Sequence, residues 1–330
     1  MLRELLAERP FLLADGATGT NLFEMGLVSG EAPEQWIEAH PDRLMGLHQR
    51  FVEAGADIIL TNSFGGNARR LMLHGLQSRA RELNRMAARL ARQVADEAPR
   101  PIVVAGSVGP TGDLLAPLGP LTEEEAETVF VEQMEGLRDG GADIAWIETM
   151  SAPEEMRAAA NAAARLGMPY TLTASFDTAG RTMMGLGPAE FPVFAATLSP
   201  PPVALGANCG VGASDLVMSV LGIVGHADGA VVIAKANAGI PQWEGAHIHY
   251  SGTPAVMGEY ARLAYDAGAR IIGGCCGTSP AHLAAMRQAL DAHERRAPPS
   301  LDEVVAALGP LAQPPRDAGS PPRRRERRRG

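Results

Sequence analysis

The 330-residue chain has one lysine, Lys235, and three cysteines, and aromatic residues make up only 5% of it. Its formal net charge of −9 argues against nucleic acid as a partner of the main body. It has no apolar run near the roughly 18 residues that a membrane-spanning helix needs. The opening MLRELLAERP lacks the apolar core of a signal peptide. Three cysteines make a poor disulfide framework, so we expect reduced thiols and a cytoplasmic protein.

One helix-to-strand junction recurs along the chain, in EAGADIIL (53–60), DGGADIAW (139–146) and DAGARIIG (266–273). Each has a glycine suited to a helix end, followed by an apolar run typical of a buried parallel strand. The chain holds eight such runs with candidate helices between them. We predict strands at 11–17, 57–64, 102–109, 143–150, 170–177, 203–210, 231–239 and 271–277. We predict helices at 42–54, 78–97, 122–139, 153–166, 189–197, 213–225, 254–267 and 280–292.

Eight strand–helix units in about 290 residues predict an α/β fold, a single-domain (β/α)8 TIM barrel over residues 1–295. A doubly wound open sheet is the alternative. The polar residues and cysteines at the strand ends favour the barrel, because a closed ring gathers those ends at one mouth. They are Asp15, Asn62, Glu148, Asp177, Cys209, Asn237, Cys275 and Cys276.

Several connecting segments carry signals of their own. Longer loops at 18–40, 109–121 and 239–253 are predicted to cover the mouth. Thr122 and Ser151 are predicted N-caps of the helices that follow them. Residues 296–330 are predicted to form a C-terminal extension whose end, PPRRRERRRG, is a disordered and solvated tail. Contact of this arginine run with RNA or an acidic partner is the alternative.

The three cysteines lie at the ends of the sixth and eighth predicted strands, which flank the seventh, so their sulfurs are expected on one side of the mouth. Gly273, Gly274 and Gly277 allow backbone angles that let both vicinal thiols turn inward. Three thiolates around one ion, with a fourth position open, form the arrangement of a catalytic zinc site. The sequence therefore predicts Zn²⁺ bound by Cys209, Cys275 and Cys276.

Other roles of the cysteines stay open at this stage. A free cysteine often packs as a small apolar side chain, and a vicinal disulfide is possible but strained. A histidine would complete a closed structural site, the candidates being His226, His247, His249 and His282. An open site with three thiolates activates water poorly but suits a substrate thiol, which a metal deprotonates. The chemistry predicted from it is alkyl transfer to a substrate sulfur.

The motifs LLADGATGTNL, TNSFGGN, WIETM, GANCG and IIGGCCGT occur in this order over roughly residues 10–292. Together they resemble the homocysteine S-methyltransferase family, which includes betaine–homocysteine methyltransferase and the homocysteine module of cobalamin-dependent methionine synthase. The resemblance implies a (β/α)8 barrel with Zn²⁺ on the three cysteines and homocysteine as substrate. It implies that Asp15 and Glu148 hold the substrate ammonium group. Backbone amides near Gly16 and in the turn that contains Thr61 and Asn62 would bind the carboxylate.

Two further residues near the predicted metal, Asn237 and Lys235, are candidates for a role in the site. Asn237 is a candidate for the open coordination position when substrate is absent. Lys235, near the end of the seventh strand, suggests a rival mechanism, because a lone lysine there can form a Schiff base. That mechanism leaves the three cysteines without a role, and a lysine on a strand can simply pair with a carboxylate.

The methyl donor is predicted to be betaine or a related onium compound. A cationic donor favours aromatic faces, and Phe64, Trp36, Trp243 and Tyr250 lie in or beside the mouth loops. S-methylmethionine is a further candidate donor. The alternative function is the homocysteine-activating subunit of a split cobalamin-dependent methionine synthase with a separate corrinoid subunit, since TNSFGGN is more similar to that module. A non-catalytic zinc- and thiol-binding protein is the third possibility.

Overall fold

Eight parallel strands form a ring in the computed structural model, which describes residues 1–239, 241–244 and 247–312. The strands are β1 (Leu12–Leu13), β2 (Ile58–Leu60), β3 (Val103–Val108), β4 (Ile144–Met150), β5 (Tyr170–Ala174), β6 (Ala204–Cys209), β7 (Val232–Ala236) and β10 (Ile271–Gly274). Their hydrogen-bonded order is β1, β10, β7, β6, β5, β4, β3, β2, and a parallel bridge from Ala14 to Ile58 joins the two ends. The predicted (β/α)8 barrel is confirmed.

Helices surround the ring, and the main ones fall where the sequence predicts them. The described α-helices are α1 (Leu2–Glu8), α2 (Gly19–Glu24), α3 (Trp36–Ala39), α4 (Pro41–Glu53), α5 (Ala68–Leu71), α6 (Ala80–Glu97), α7 (Glu123–Asp139), α8 (Pro153–Arg165), α9 (Glu190–Ala195), α10 (Ala213–Val224), α11 (Pro254–Ala267), α12 (Pro280–Asp291) and α13 (Leu301–Leu308). Short 3-10 turns lie at Pro33–Gln35, Met72–His74 and Gln77–Arg79.

Two aspartates strengthen the seam between β1 and β2, where the backbone ladder is short. Asp57 Oδ2 accepts a hydrogen bond from the Leu13 amide at 2.9 Å, and Arg9 Nη1 lies 2.7 Å from Asp57 Oδ1. Nearer the mouth, Asp15 Oδ2 accepts from the Leu60 amide at 2.7 Å. Both carboxylates are almost fully buried, so they close the barrel with side-chain hydrogen bonds.

Side-chain alternation along the strands decides what fills the barrel interior. The lower layers are apolar and include Ile144 and Trp146 of β4 and Ile233 of β7. Helix α1 packs its leucines against these layers and closes the lower end. Two residues further along the same strands, the inward positions carry Glu148 and Lys235. The interior therefore becomes polar and charged where the strands reach the mouth.

Two local predictions about helix starts have different outcomes. Thr122 Oγ1 accepts from the Glu125 amide at 3.2 Å and Glu125 Oε2 accepts from the Thr122 amide at 2.9 Å, so the predicted capping box is confirmed. The Ser151 cap is wrong, because α8 begins at Pro153 with Ala152 in the cap position. Ser151 Oγ is buried without a hydrogen-bond partner.

The loop predicted at 239–253 contains an antiparallel hairpin instead, with β8 (Pro241–Glu244) paired to β9 (His247–Tyr250). It follows β7 directly and leads into α11, so it stands beside the strand ends that carry the cysteines. The polar, glycine-bounded sequence of this segment gives little strand signal, which is why pattern alone predicts a loop.

The C-terminal segment continues past α12 and packs back on the barrel. Val304 of α13 is fully buried, Ser214 Oγ donates to the Gly309 carbonyl at 2.8 Å, and the Ala312 amide donates to Asp215 Oδ2 at 2.9 Å. The predicted Arg-rich tail lies outside the described residues, and the division of the chain at residue 295 stays a prediction. No helix of the described chain has the length and apolar character that a bilayer crossing requires.

Candidate functional site

The three cysteine sulfurs come together at the mouth of the barrel. Cys209 ends β6, Cys275 and Cys276 follow β10, and β7 runs between these two strands. The sulfur atoms all lie within 4.8 Å of one another, and none is in a disulfide. A metal ion can be held by three or more cysteine, histidine or acidic side chains that lie close together. Among the described residues, these three cysteines form such a group.

The backbone around the cysteines explains how neighbouring thiols reach one point. The Cys275 amide still donates to the Ala236 carbonyl of β7, at 2.6 Å, and the chain then turns, with the Thr278 amide donating to the Cys275 carbonyl at 3.1 Å. Gly277 takes a left-handed φ of 78° in this turn. Strand alternation therefore ends before Cys276, and both thiols can face the mouth.

Two residues with side chains also adopt left-handed backbone angles beside the site. Thr149 and Cys209 both have a φ of 62°, which non-glycine residues adopt rarely. Asn208 ties the two together: its Oδ1 accepts from the Thr149 amide at 2.8 Å and its Nδ2 donates to Thr149 Oγ1 at 2.7 Å. The same Nδ2 lies 3.8 Å from the Cys275 sulfur. Such strained positions, held by surrounding hydrogen bonds, are common at functional sites.

The pKa of each of the three thiols is raised above its ordinary value. The hydrogen bond with Cys275 lowers the pKa of Cys209, but the contact with Cys276 and burial outweigh it and raise that pKa to about 12. For Cys276 the bond with Cys209 lowers the pKa, and Cys275 and burial raise it to about 12. The pKa of Cys275 is raised as well, first by its hydrogen bond with Cys209. A cation that replaces these protons would relieve the crowding of sulfur donors.

The donor set fits a soft divalent cation with tetrahedral preference. Zinc–sulfur bonds of about 2.3 Å place tetrahedral ligands roughly 3.8 Å apart, close to the observed spacing within 4.8 Å. Thiolate ligands select zinc over magnesium or calcium, which take oxygen donors. The predicted ligands Cys209, Cys275 and Cys276 are thus brought together in an arrangement that zinc accepts.

Asp15 and Gly16 lie where β1 ends, on the far side of β10 from Cys209. Asp15 is 1% exposed, and its Oδ1 lies 3.1 Å from Lys235 Nζ. Burial raises the pKa of Asp15 more than the Lys235 ammonium group and the Leu60 amide lower it. A side chain at Gly16 would collide with the Thr278 carbonyl oxygen, so only glycine fits there. The Gly16 amide makes no hydrogen bond to another described residue and is available to a ligand.

Glu148 lines the inner part of the cavity, beside Lys235 and the cysteines. Its Oε1 accepts a hydrogen bond from Ser107 Oγ at 2.5 Å, and within the described chain no donor contacts Oε2. Burial raises the pKa of Glu148, the Lys235 charge and the Ser107 bond lower it, and the Asp15 charge raises it. The sequence prediction placed this residue at a strand end but missed Ser107 of β3, whose register partner on β4 is Trp146.

The side chains of Thr61 and Asn62 shape the turn after β2 and do not point at the sulfurs. Thr61 Oγ1 accepts from the Ser107 amide at 3.0 Å and lies 2.6 Å from Ser63 Oγ. Asn62 Nδ2 donates to the Pro33 carbonyl at 2.7 Å. The backbone amide of Asn62 has no acceptor among the residues described, so this turn can offer an N–H group to a ligand.

A cavity of about 600 Å³ joins these features into one site. It is lined by the three cysteines, by Gly16, Thr61, Asn62, Glu148 and Lys235, and by an outer set from which the sequence predicted Phe64 alone. The outer set is Phe23, Glu34, Phe64, Arg70, Leu73 and His74. Except for Phe64, these residues lie in short helices and 3-10 turns between the predicted strands and helices, where the sequence gives little signal. Asn237 and Asp177 lie outside this lining.

The aromatic residues predicted to surround a cationic donor are only partly assembled. Phe64 lines the cavity. Tyr250 packs its ring against Gly277, beside the cysteine turn. Trp36 is buried, 3% exposed, and packs on His40 with ring centroids 4.6 Å apart, away from the cavity. Trp36 is part of the hydrophobic core, so its predicted role as an aromatic face for the donor at the mouth is wrong. The side chain of Trp243 lies outside the described part of the structure.

The fold and the cavity define a (β/α)8-barrel protein with a three-thiol site at the carboxyl ends of its strands. The family model described as homocysteine S-methyltransferase matches residues 12–290. The chain belongs to the homocysteine S-methyltransferase family, as the sequence motifs predict.

Curated relatives and solved structures agree with this assignment. The chain is 31% identical over 299 residues to a protein named methionine synthase from Mycobacterium leprae (strain TN), covering 86% of this chain and 24% of that protein. Methionine synthase from Mycobacterium tuberculosis (strain ATCC 25618 / H37Rv) is also 31% identical, with 86% and 25% covered. The chain thus spans about a quarter of the length of these relatives.

Among solved structures, the chain is similar to the homocysteine methyltransferase MmuM from Escherichia coli. The metallated form superposes with a TM-score of 0.73 at 25% identity, covering 87% of this chain and 99% of that one. The oxidized form gives a TM-score of 0.74 at 25% identity, with 87% and 98% covered.

Proposed function

We propose that the chain is a zinc-dependent homocysteine S-methyltransferase that forms methionine. The observation that carries the proposal is the set of three sulfurs within 4.8 Å of one another, in the same cavity as the Glu148 carboxylate. Zinc held there by Cys209, Cys275 and Cys276 would supply an open position that ionises a substrate thiol to the nucleophilic thiolate.

The chain's own residues would bind the amino-acid part of homocysteine. Asp15 and Glu148 provide buried negative charge for the ammonium group, with Glu148 at the cavity wall. The amides of Gly16 and Asn62 are available for the carboxylate. An amino acid fixed at both groups presents its sulfur in one orientation, and this positioning lowers the entropic part of the barrier to methyl transfer. Asn237, which joins the cysteine segments, would support the metal position.

The outer part of the cavity suits a small zwitterionic onium donor such as betaine. Phe23 and Phe64 offer aromatic faces to a methylated cation. Glu34, 4% exposed, adds a carboxylate that accepts from the Gly65 amide at 2.8 Å. Arg70 lines the same space, and its guanidinium group has no hydrogen bond or ion pair among the described residues, so it is available for a donor carboxylate.

A separate corrinoid subunit as methyl donor is the second candidate. Large apolar side chains are exposed at the cavity rim, with Leu73 at 73% and Phe23 at 50%. Both would suit a docked macromolecule better than a small solute. The relatives named methionine synthase, four times the length of the matched region, favour the same candidate.

A direct assay separates these functions. Zinc-loaded protein is incubated with L-homocysteine and betaine, dimethylsulfoniopropionate, S-methylmethionine or methylcobalamin, and methionine is measured. Turnover with an onium donor supports the first proposal, and turnover with methylcobalamin alone overturns that donor choice. Zinc retention without turnover on any donor would favour a non-catalytic zinc- and thiol-binding protein.

The Cys275→Ala variant tests the metal role itself. Loss of one of three ligands should abolish both zinc binding and activity. Full activity in this variant would overturn the mechanism.

Because the site needs three reduced thiols, we also propose that the protein works in the cytoplasm.

A further inference from the structure

The chain's only lysine is buried in the candidate site. Lys235 takes an inward position near the end of β7 and is 2% exposed. Its Nζ lies 3.1 Å from Asp15 Oδ1 and 5.5 Å from the centroid of the Trp146 ring below it. It lines the same cavity as the three cysteines. A buried ammonium group is costly unless nearby charges compensate it, so its neighbours decide what it does.

Three ionisable groups surround this ammonium group. Asp15 and Glu148 are both buried, and Cys275 is close enough to act on the charge of Lys235. Burial lowers the pKa of Lys235, but Asp15, Glu148 and Cys275 together raise it above its ordinary value. Lys235 therefore carries its positive charge at neutral pH. Its charge can offset one of the two neighbouring carboxylate charges.

The two carboxylates are not equivalent. Asp15 has a partner on each oxygen, the Leu60 amide on Oδ2 at 2.7 Å and Lys235 on Oδ1, and it does not line the cavity. Glu148 lines the cavity and receives only the Ser107 hydroxyl, on Oε1, from the residues described. The oxygen left for a substrate ammonium group is therefore on Glu148.

We propose that Lys235 is a positioning residue that acts through Glu148: its ammonium group allows two buried carboxylates to stay ionised together, so that Glu148 presents a free oxygen to the α-ammonium group of the thiol substrate. This inference rests on the proposed function. Without Lys235, two neighbouring buried carboxylates cannot both keep their charge, and one takes up a proton. Asp15 keeps the Leu60 amide, which can only donate, whereas the Ser107 hydroxyl beside Glu148 can also accept a hydrogen bond from a protonated carboxyl. The proton therefore goes to Glu148 and removes the acceptor.

The inference makes Lys235 a determinant of selectivity for amino-acid thiols. Its test compares L-homocysteine with 4-mercaptobutanoate, which has the same carbon chain and carboxylate but no amino group. Binding of each to the zinc-loaded full-length protein is measured by titration calorimetry, and zinc content is measured alongside. We expect the wild-type protein to prefer homocysteine by about tenfold or more, the value of one hydrogen bond between charged groups.

In Lys235→Met the preference for homocysteine should fall to about twofold or less, while 4-mercaptobutanoate binding and zinc content stay unchanged. Lys235→Arg keeps the charge and should keep the preference. The double variant Lys235→Met/Asp15→Asn removes one charge of each sign and should restore the preference. If Lys235→Met does not fold, the uncharged Lys235→Gln variant takes its place in the same comparison.

Each outcome is decisive. A preference that persists in Lys235→Met overturns the inference, as does an equal loss of both ligands or of zinc, which would indicate a merely structural lysine. A double variant that lacks the preference overturns it too. If the zinc-loaded wild-type protein binds neither thiol, the proposed function fails together with this inference.

Discussion

The side-chain amide of Asn237 joins the two segments that carry the cysteines. Its Oδ1 accepts a hydrogen bond from the Cys276 amide at 3.1 Å, and its Nδ2 donates to the Gly210 carbonyl, one residue past Cys209, at 2.8 Å. Asn237 follows β7, the strand between the two cysteine-bearing strands. One side chain, directly after the middle strand, therefore links the cysteine segments that follow the strands on either side.

Asn237→Ala should weaken zinc binding by about 10- to 100-fold, the usual effect of losing a residue that orients metal ligands. Both cysteine segments lose their shared partner, so the ligand set must be reassembled when the metal binds. The dissociation constant is measured by competition with a chelator. Asn161→Ala, on the exposed face of α8, is the control and should not change it. Equal affinities in both variants would contradict the linking role of Asn237.

Arg70→Met should raise the KM for an onium donor that bears a carboxylate by about tenfold or more, because a charge-assisted hydrogen bond is lost. The kinetics of homocysteine should change little, since Arg70 lies in the outer part of the cavity. Steady-state rates with betaine at saturating homocysteine provide the measurement.

Arg69→Met is the matched control for Arg70. The Arg69 side chain is bound to Asp113 Oδ2 at 2.6 Å and does not line the cavity. It should therefore leave the donor KM unchanged. An equal effect of the two substitutions would argue against a donor site at Arg70.

His48 should make the protein sensitive to mild acid. It is 2% exposed in α4, and burial lowers its pKa to about 4. In the unfolded chain the His48 imidazole binds a proton below about pH 6.5, whereas in the folded protein it stays neutral down to about pH 4. Proton binding therefore favours the unfolded chain, and the free energy of unfolding falls as the pH drops from 6.5 toward 4. The loss amounts to about 2 kcal/mol between pH 7 and pH 5.

The measurement is urea unfolding at pH 7 and pH 5. His48→Leu should remove this part of the pH dependence, whereas the exposed His226→Gln should keep it. If His48→Leu loses as much stability on acidification as the unsubstituted protein does, another group is responsible.

Much of the fold could be predicted because the signals are local. Helix boundaries agree within a few residues for α4, α6 and α10 to α12, where apolar periodicity marks the helices and, after α4, α10 and α11, a glycine marks the end. The cysteine cluster was predictable because two strand ends that flank a third must be close in a barrel. Gly277 shows the expected left-handed angle, whereas Gly274 is needed for a different reason, since a side chain there would collide with Thr278.

What the sequence did not predict depends on contacts across the barrel. The Asp15–Lys235 pair joins residues 220 positions apart, and no local pattern encodes it. Ser107 beside Glu148 depends on the register between β3 and β4. Trp36 begins the four-residue helix α3, which is too short for apolar periodicity to tell a buried side chain from one at the mouth. Most of the outer cavity residues lie in short helices and 3-10 turns whose positions depend on the whole structure.

The central claim is that three cysteines hold one zinc ion whose fourth position takes the substrate sulfur. X-ray absorption at the zinc edge, on the full-length zinc-loaded protein with and without L-homocysteine, tests it most directly. The account predicts three sulfur neighbours at about 2.3 Å without the amino acid and four with it. An unchanged sulfur count on addition of saturating homocysteine, or fewer than three sulfurs in its absence, would contradict it.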